Sequence, residues 1–119
     1  MTYQVRKQFE FSASHALTHL PGVHPCSVTH GHNYIVEIVL EAETLAGNQM
    51  VVDYHDLKLF GLFVNDSFDH AHLNSMVPFM PTAENLARYL FDWAKAHYPE
   101  CVAVRVSETP KTWAEYRGG

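Results

Sequence analysis

Residues 30–42, HGHNYIVEIVLEA, carry the clearest structural signal in the sequence. Alternate positions fall into two sets of different chemistry. The set expected to face the interior is His30, His32, Tyr34, Val36, Ile38, Leu40 and Ala42, and the opposite set includes Asn33, Glu37 and Glu41. This period of two predicts a β-strand that buries one face.

A second alternating segment lies upstream, over residues 3–15. Its predicted buried face holds Tyr3, Val5, Phe9, Phe11 and Ala13. Lys7 interrupts this face, and His15 ends it. The intervening residues 16–29 contain two prolines and a glycine, which is typical of a loop. If the two strands pair antiparallel across this loop, the end of the first strand lies beside the start of the second.

Two amphipathic helices are predicted downstream. Asp53 is a good N-cap for a helix over about 54–67, and Thr82 is a good N-cap for a second helix that ends near Tyr98, before Pro99. Apolar side chains recur at helical spacing in both segments: Leu57, Phe60, Val64 and Phe68 in the first, and Leu86, Leu90 and Trp93 in the second. Residues 69–81 connect the two helices.

The chain ends in two more predicted strands, over 102–108 and 111–117, joined by a turn at Thr109-Pro110. The order β-β-α-α-β-β predicts an α+β fold with a four-stranded antiparallel sheet and both helices on one face. A length of 119 residues suits one core, so we expect a single domain over 1–119. Leu59, Leu62 and Phe63 lie off the main apolar stripe of the first helix, and this surplus favours a homo-oligomer.

Charge and hydropathy exclude several classes of protein. The formal net charge of −5 argues against a general nucleic-acid binder, which needs a broad basic face. No stretch is long and apolar enough to span a bilayer, and residues 1–7 lack the apolar run of a secretory signal. We therefore expect a cytoplasmic protein without nucleic-acid or membrane partners. A small anionic substrate stays compatible with this charge, because a metal or a local cluster can outweigh it.

Histidine is concentrated in the sequence, with five of the nine residues between positions 15 and 32. His30 and His32 project from one face of the predicted strand, and His15 ends the neighbouring strand on its apolar face. Three neutral nitrogen ligands with an open fourth position are typical of catalytic zinc. The lack of a Cys-x-x-Cys pair argues against a structural zinc finger. The alternative is that these are hydrogen-bonded core histidines.

Other polar residues have more than one interpretation. Cys26 lies in the predicted loop, four residues before His30, and is a candidate catalytic thiolate, fourth metal ligand or incidental loop cysteine. Asp69 beside His70 suits either a general acid–base pair or an ordinary helix end. Glu108 extends the apolar face of the third strand, where a carboxylate needs a partner. That partner is either a guanidine-like edge of a ligand or an arginine of the same chain.

Six segments together resemble the 6-pyruvoyl-tetrahydropterin synthase family, in particular its queuosine-pathway branch, whose members form 6-carboxy-5,6,7,8-tetrahydropterin. In family order these segments are 11–15 (FSASH), 26–34 (CSVTHGHNY), 51–58 (VVDYHDLK), 69–74 (DHAHLN), 81–85 (PTAEN) and 106–109 (VSET). The resemblance implies the tunnelling fold, in which sheets of several subunits form a barrel. It also implies a hexamer built from two trimers, with active sites between subunits.

The resemblance also implies roles for particular residues. These are zinc ligation by His15, His30 and His32, catalysis by Cys26 with Asp69 and His70, and pterin anchoring by Glu108, with Thr82 close by from a neighbouring subunit. The implied substrate is 7,8-dihydroneopterin triphosphate. The queuosine branch releases acetaldehyde and leaves a 6-carboxylate, whereas the biopterin branch keeps a pyruvoyl side chain.

The short spacer between Cys26 and His30 favours the queuosine branch, since the biopterin branch usually has a longer one. Pro25 and Val28 stand where relatives often carry basic residues, so the candidates for binding triphosphate are Lys7, His24 and Lys58. Two other functions stay open: a non-catalytic zinc- or pterin-binding subunit in which Cys26 ligates the metal, and a zinc hydrolase for another small anion.

Overall fold

Two long antiparallel strands form the centre of the protein, which we describe from a computed structural model covering residues 1–118. Strand β1 spans Tyr3–His15 and strand β2 spans His30–Ala42, with the bounds that the alternating patterns predicted. Their register places Tyr3 opposite Ala42 and His15 opposite His30. The loop between them contains a short 3-10 helix at Pro25–Ser27.

Three further strands complete one sheet in the order β3-β1-β2-β4-β5. They are β3 Ala71–His72, β4 Cys101–Thr109 and β5 Thr112–Arg117. The prediction of four antiparallel strands is wrong in two respects, because the sheet has five strands and β3 runs parallel to β1. A strand of two residues is too short to produce a period in sequence, and its hydrogen bonds depend on a partner more than fifty residues away.

Three helices pack on one face of the sheet, one more than predicted. They are α1 Lys58–Phe68, α2 Leu73–Met76 and α3 Ala83–His97. The extra helix, α2, is a single turn inside the predicted connection 69–81. Both predicted N-caps are confirmed: the Asp53 carboxylate accepts from the His55 amide at 2.9 Å, and the Thr82 hydroxyl accepts from the Asn85 amide at 3.2 Å. Asp53 caps a 3-10 turn, Tyr54–Leu57, which leads directly into α1.

The hydrophobic core lies between the sheet and the helices. Phe11 stacks on Tyr34 with ring centroids 4.8 Å apart, and Phe68 packs against Phe11 at 5.5 Å. Leu57, Phe60 and Phe68 from the α1 region and Leu86 and Leu90 from α3 are fully or almost fully buried. The alternation in β1 and β2 therefore predicted the correct buried face. None of the helices in the described part of the chain is long and apolar enough to cross a membrane.

The opposite face of the sheet is polar and holds a buried carboxylate. Glu37 is 5% exposed and accepts hydrogen bonds from Gln8 and Arg105 at 2.9 Å, with Arg6 at 3.6 Å. Burial alone would raise the pKa of Glu37, but these two hydrogen bonds and the two guanidinium charges outweigh it, so the pKa lies below its ordinary value.

We expect Glu37→Gln to lower the free energy of unfolding at pH 7 by about 1–3 kcal/mol, because it removes charge-assisted bonds from a buried site. Because the pKa of Glu37 is lower in the folded than in the unfolded protein, the ionised carboxylate stabilises the fold at pH values above the ordinary pKa of 4.5. This stabilisation is lost as the pH falls below 4.5 and through the pKa of the folded state. In urea unfolding from pH 7 to pH 4, the difference in the free energy of unfolding between wild type and Glu37→Gln should become smaller. Glu43→Gln, at an exposed position, is the control. A difference between wild type and Glu37→Gln that stays constant across this pH range would contradict a lowered pKa of Glu37.

Candidate metal centre

The pairing of β1 with β2 brings the three predicted histidines together. His15 lies directly opposite His30, and His32 lies opposite Ala13, so all three imidazoles project from the helix-facing side of the sheet at one end. Their candidate ligand nitrogens all lie within 4.8 Å of one another. Among residues 1–118 this triad is the one group of three or more such side chains close enough to share an ion.

Backbone carbonyls hold the rings of His15 and His30 in one tautomer. The His15 Nδ1–H donates to the Pro81 carbonyl at 2.7 Å, and the His30 Nδ1–H donates to the Val28 carbonyl at 2.8 Å. Each Nε2 then carries a lone pair, and the two Nε2 atoms are 2.9 Å apart. Two lone pairs at that distance repel unless a proton or a cation lies with them. Metal-binding histidines typically use their second nitrogen in this way.

His32 supplies an independent test of whether a cation fits. Its Nε2 is buried and, among the residues described, is the one buried side-chain nitrogen or oxygen without a hydrogen-bond partner. Such orphaned polar atoms are rare in folded proteins and costly. The closest acidic group is Glu108, whose Oε2 lies 3.5 Å away. A cation shared with His15 and His30 would satisfy this nitrogen, so the donor set fits a metal ion.

The electrostatics of the triad also suit metal binding. Burial lowers the pKa of both His15 and His32, because the imidazolium form loses its hydration. The Pro81 carbonyl and the Glu108 carboxylate oppose this effect at His15, and the Glu108 carboxylate opposes it at His32. Both rings are therefore neutral at pH 7. Neutral imidazole is the form that binds a metal.

Cys26 lies in the 3-10 turn of the loop that follows β1. Its carbonyl accepts a hydrogen bond from the Leu17 amide at 2.8 Å, which ties the loop back to the end of β1. Its own amide donates to His24 Nδ1 at 3.1 Å. The thiol is half-buried and unpaired with Cys101, which lies in the core. Cys26 does not belong to the histidine group.

Asp69 and His70 are held against the edge of β1. The Asp69 carboxylate accepts from the Ser12 amide at 2.9 Å, and the His70 amide donates to the Ser12 carbonyl at 2.6 Å. The His70 ring is 84% exposed, with Nε2 at 3.5 Å from the other Asp69 oxygen. His70 lines an open cavity of about 620 Å³ together with His32 and His72. Asp69 lies outside the lining of this cavity and lines a neighbouring one with Ser12 and His70.

Glu108 and Thr82 both lie near the triad within one chain. Glu108 stands near the end of β4 with its carboxylate against His32, and among the residues described it pairs with no arginine. The arginine-partner interpretation of Glu108 is therefore wrong. The Thr82 hydroxyl serves as the N-cap of α3, and Thr82 follows Pro81, whose carbonyl contacts His15.

Two of the three candidate triphosphate ligands lie far from this site. Lys7 and Lys58 line a separate cavity with His55. Lys7 precedes His15 by eight residues along β1, a separation of about 26 Å in an extended strand. One substrate molecule cannot span this distance within a single chain. His24 lies in the loop after β1, where its Nδ1 accepts from the Cys26 amide at 3.1 Å.

Sequence reasoning missed three contributors to the site. The Pro81 carbonyl orients His15, the Asn74 side chain hydrogen-bonds the residue after His15, and His72 lines the cavity with its Nδ1 at 2.9 Å from the Ser14 hydroxyl. All three lie in the segments 69–74 and 81–85 that carry the family resemblance, but that resemblance assigned none of them a role. No local pattern marks a carbonyl or an asparagine that acts across more than fifty residues.

Comparison with known proteins agrees with this geometry. A family model described as 6-pyruvoyl tetrahydropterin synthase matches residues 4–119. The chain belongs to the 6-pyruvoyl tetrahydropterin synthase family. A Bacillus subtilis protein named 6-carboxy-5,6,7,8-tetrahydropterin synthase is 30% identical over 129 residues, which is 98% of this chain and 86% of that protein.

Two other relatives illustrate the range of the family. An Archaeoglobus fulgidus protein with the provisional name 6-carboxy-5,6,7,8-tetrahydropterin synthase is 36% identical over 107 residues, 90% of this chain and 89% of that protein. The solved structure of 6-pyruvoyl tetrahydropterin synthase from Caenorhabditis elegans superposes with a TM-score of 0.87 at 29% identity, covering 100% of this chain and 97% of that one. Relatives named for either product therefore match this family member over most of its length.

The backbone at His70 leads to a stability prediction. His70 has φ 58°, in the left-handed region that glycine tolerates best. We expect His70→Gly to be more stable than His70→Ala by about 1 kcal/mol, although both remove the imidazole. Asp66→Gly and Asp66→Ala, at an exposed position inside α1, should show the opposite order. Thermal unfolding of the four variants measures both differences. Equal stabilities at position 70 would show that no strain is stored there.

Proposed function

We propose that this protein is a zinc-dependent lyase that converts 7,8-dihydroneopterin triphosphate to 6-carboxy-5,6,7,8-tetrahydropterin, releasing triphosphate and acetaldehyde, in the formation of queuosine-type 7-deazapurines. The observation that carries the proposal is the histidine triad, in which two Nδ1 atoms are bound to carbonyls and the buried Nε2 of His32 has no partner. The names of the Bacillus and Archaeoglobus relatives support the 6-carboxy product.

His15, His30 and His32 would hold the zinc ion and leave one position for substrate oxygens. When bound there, zinc supplies Lewis acidity, which polarises the side-chain hydroxyls of the substrate and makes the adjacent C–H protons more acidic. The low pKa values of His15 and His32 keep these rings available as ligands at neutral pH. His32 and His70 line the same cavity, which places the predicted proton donor next to a member of the triad.

The remaining chemistry is proton transfer by residues of this chain. The Cys26 thiolate removes a proton from a side-chain carbon, and His70 delivers a proton to the pterin ring. Asp69 holds His70 through the 3.5 Å contact and is itself fixed by the Ser12 amide. Glu108 accepts two hydrogen bonds from the amino-pyrimidine edge of the pterin in a charge-assisted contact. This edge is the guanidine-like partner that the sequence allowed as one alternative for Glu108. Thr82 lies beside the ring.

The overall reaction balances without an external reductant. The pterin ring gains two electrons and two protons at C6 and N5, and the side-chain carbons lose the same number as triphosphate leaves. Cleavage between the first two side-chain carbons then consumes one water. The carboxylate stays on the ring, and the remaining two carbons leave as acetaldehyde.

We also propose that the active protein is a homo-oligomer, a hexamer of two trimers with sites between subunits in the tunnelling-fold manner. Two sheet edges support this proposal. β1 pairs with β3 at Ala13 and Ser14 alone, so its residues 3–11 have a free edge in the described chain, and β5 forms the opposite edge. Exposed strand edges readily pair with another chain. Leu59 and Leu62 are also about half exposed on α1.

A second candidate is 6-pyruvoyl-tetrahydropterin synthesis, in which triphosphate is eliminated and the three-carbon side chain is kept. The likeness to the Caenorhabditis elegans enzyme favours this alternative. A third, of a different class, is a non-catalytic zinc- or pterin-binding subunit with Cys26 as a metal ligand. The separation of Cys26 from the histidine group argues against it.

Incubation with 7,8-dihydroneopterin triphosphate followed by product analysis discriminates these functions. Acetaldehyde with a 6-carboxypterin is the expected result, whereas a pyruvoyl product selects the second candidate. Absence of substrate consumption by the zinc-loaded protein would contradict both lyase functions.

Cys26→Ala should lower turnover by at least about 100-fold, because a proton-transfer group is lost, while zinc content stays at the wild-type level. The control is Cys101→Ala, which removes the other cysteine far from the site and should keep turnover. Zinc loss from Cys26→Ala would instead support the non-catalytic subunit. Zinc content is measured on the purified variants by elemental analysis.

Acidification should release the metal. Because protons compete for the imidazole nitrogens, zinc retention is expected to be complete at pH 7 and to fall only below the ordinary histidine pKa of 6.5, since burial lowers the pKa of His15 and His32. Dialysis at a series of pH values, followed by metal analysis, tests this. His30→Ala should retain little zinc at pH 7, and His55→Ala, at an exposed site, should retain all of it. Full zinc content in His30→Ala would refute the triad.

A further inference from the structure

The side chain of Asn74 extends the pairing between β3 and β1 beyond the end of β3. Its Oδ1 accepts from the Ala16 amide at 2.9 Å, and its Nδ2 donates to the Ala16 carbonyl at 2.8 Å. A carboxamide carries the same donor and acceptor as a peptide group. Asn74 therefore replaces the next residue of a strand at a point where the backbone has already turned into α2.

This contact is the last one that holds β1 before the loop begins. β3 pairs with Ala13 and Ser14, and β1 ends at His15. Ala16 is 7% exposed, so its amide and carbonyl depend on Asn74 rather than on water. The backbone on the C-terminal side of His15 is fixed by this side chain.

His15 is the most buried member of the triad, at 0% exposure. Its ring is held through Nδ1 by the Pro81 carbonyl, and its following residue is held by Asn74. Both restraints come from the segment between β3 and α3. His30 is held differently, by the Val28 carbonyl two residues before it. The position of the His15 ring thus depends on residues distant in sequence.

We propose that Asn74 is a positioning residue for the metal centre. It clamps the backbone after His15 so that the His15 Nε2 points to the position shared with His30 and His32. The inference rests on the proposed function, in which this triad binds zinc. Without the clamp the Ala16 amide and carbonyl lose their partner next to His15, and a ligand displaced by about 1 Å loses the geometry that a metal requires. Residues outside the ligand set typically affect metal affinity about 10- to 100-fold.

The test compares zinc affinity in four proteins: wild type, Asn74→Ala, Asn74→Asp and Ser14→Ala. Each is prepared metal-free and titrated with zinc against a chelating dye, and the visible spectrum of the Co²⁺ form is recorded. We expect Asn74→Ala to raise the zinc Kd about 10- to 100-fold and to change the Co²⁺ bands. Asn74→Asp keeps the acceptor for the Ala16 amide, so it should fold even if the alanine variant does not, with a Kd raised about 3-fold or more.

Ser14→Ala is the matched control, because it removes a different hydrogen bond between the same two segments, from Ser14 to His72. It should leave the zinc Kd and the Co²⁺ spectrum unchanged. A purely structural role of Asn74 would lower the melting temperature of the metal-free protein yet leave Kd and spectrum at the wild-type values, and that result would overturn the inference. An equal effect from Ser14→Ala would also overturn it, since general loosening of the strand end would then be the cause. Wild-type protein that binds no zinc would refute the proposed function itself and this inference with it.

Discussion

The antiparallel register of β1 with β2 is the constraint on which the site depends. It places His15 opposite His30 and directs His32 to the same side of the sheet. A shift of one residue would send His30 and His32 to the polar face, away from His15, together with every core residue of β2. The same hydrophobic alternation that buries Tyr34, Val36 and Ile38 therefore also assembles the histidine triad. Fold and site are specified by one pattern.

The segment between α1 and α3 completes what the two strands begin. Asp69 and His70 bind the backbone of Ser12, Asn74 binds that of Ala16, and Pro81 binds the His15 ring. These contacts fall on the end of β1 that carries His15. A connection that appears irregular in sequence thus acts as the outer support of the site, and its tight turns explain why His70 adopts a left-handed conformation.

The two faces of the sheet serve different purposes. The helix-facing side combines an apolar core with the triad at one end, where burial keeps the histidines neutral. The other side holds Glu37 in a network with Gln8 and Arg105, where the same burial is overcome by hydrogen bonds and positive charge. Family membership and the likeness to solved pterin synthases agree with this arrangement. A cation shared with His15 and His30 would satisfy the orphaned nitrogen of His32.

The sequence by itself determined β1, β2, the buried face, both helix N-caps and the convergence of three histidines. The strands, the buried face and the N-caps follow from short periods and from residues within a few positions of each other. The convergence of the histidines follows once β1 and β2 pair antiparallel. Only the tertiary structure decided that Ala71 and His72 form a fifth strand, that α2 exists, that Lys7 lies far from the triad, and that Asn74 and Pro81 hold His15. Each of these depends on a backbone or side-chain contact across many residues, and such contacts produce no period in the sequence and become defined only when the chain is packed.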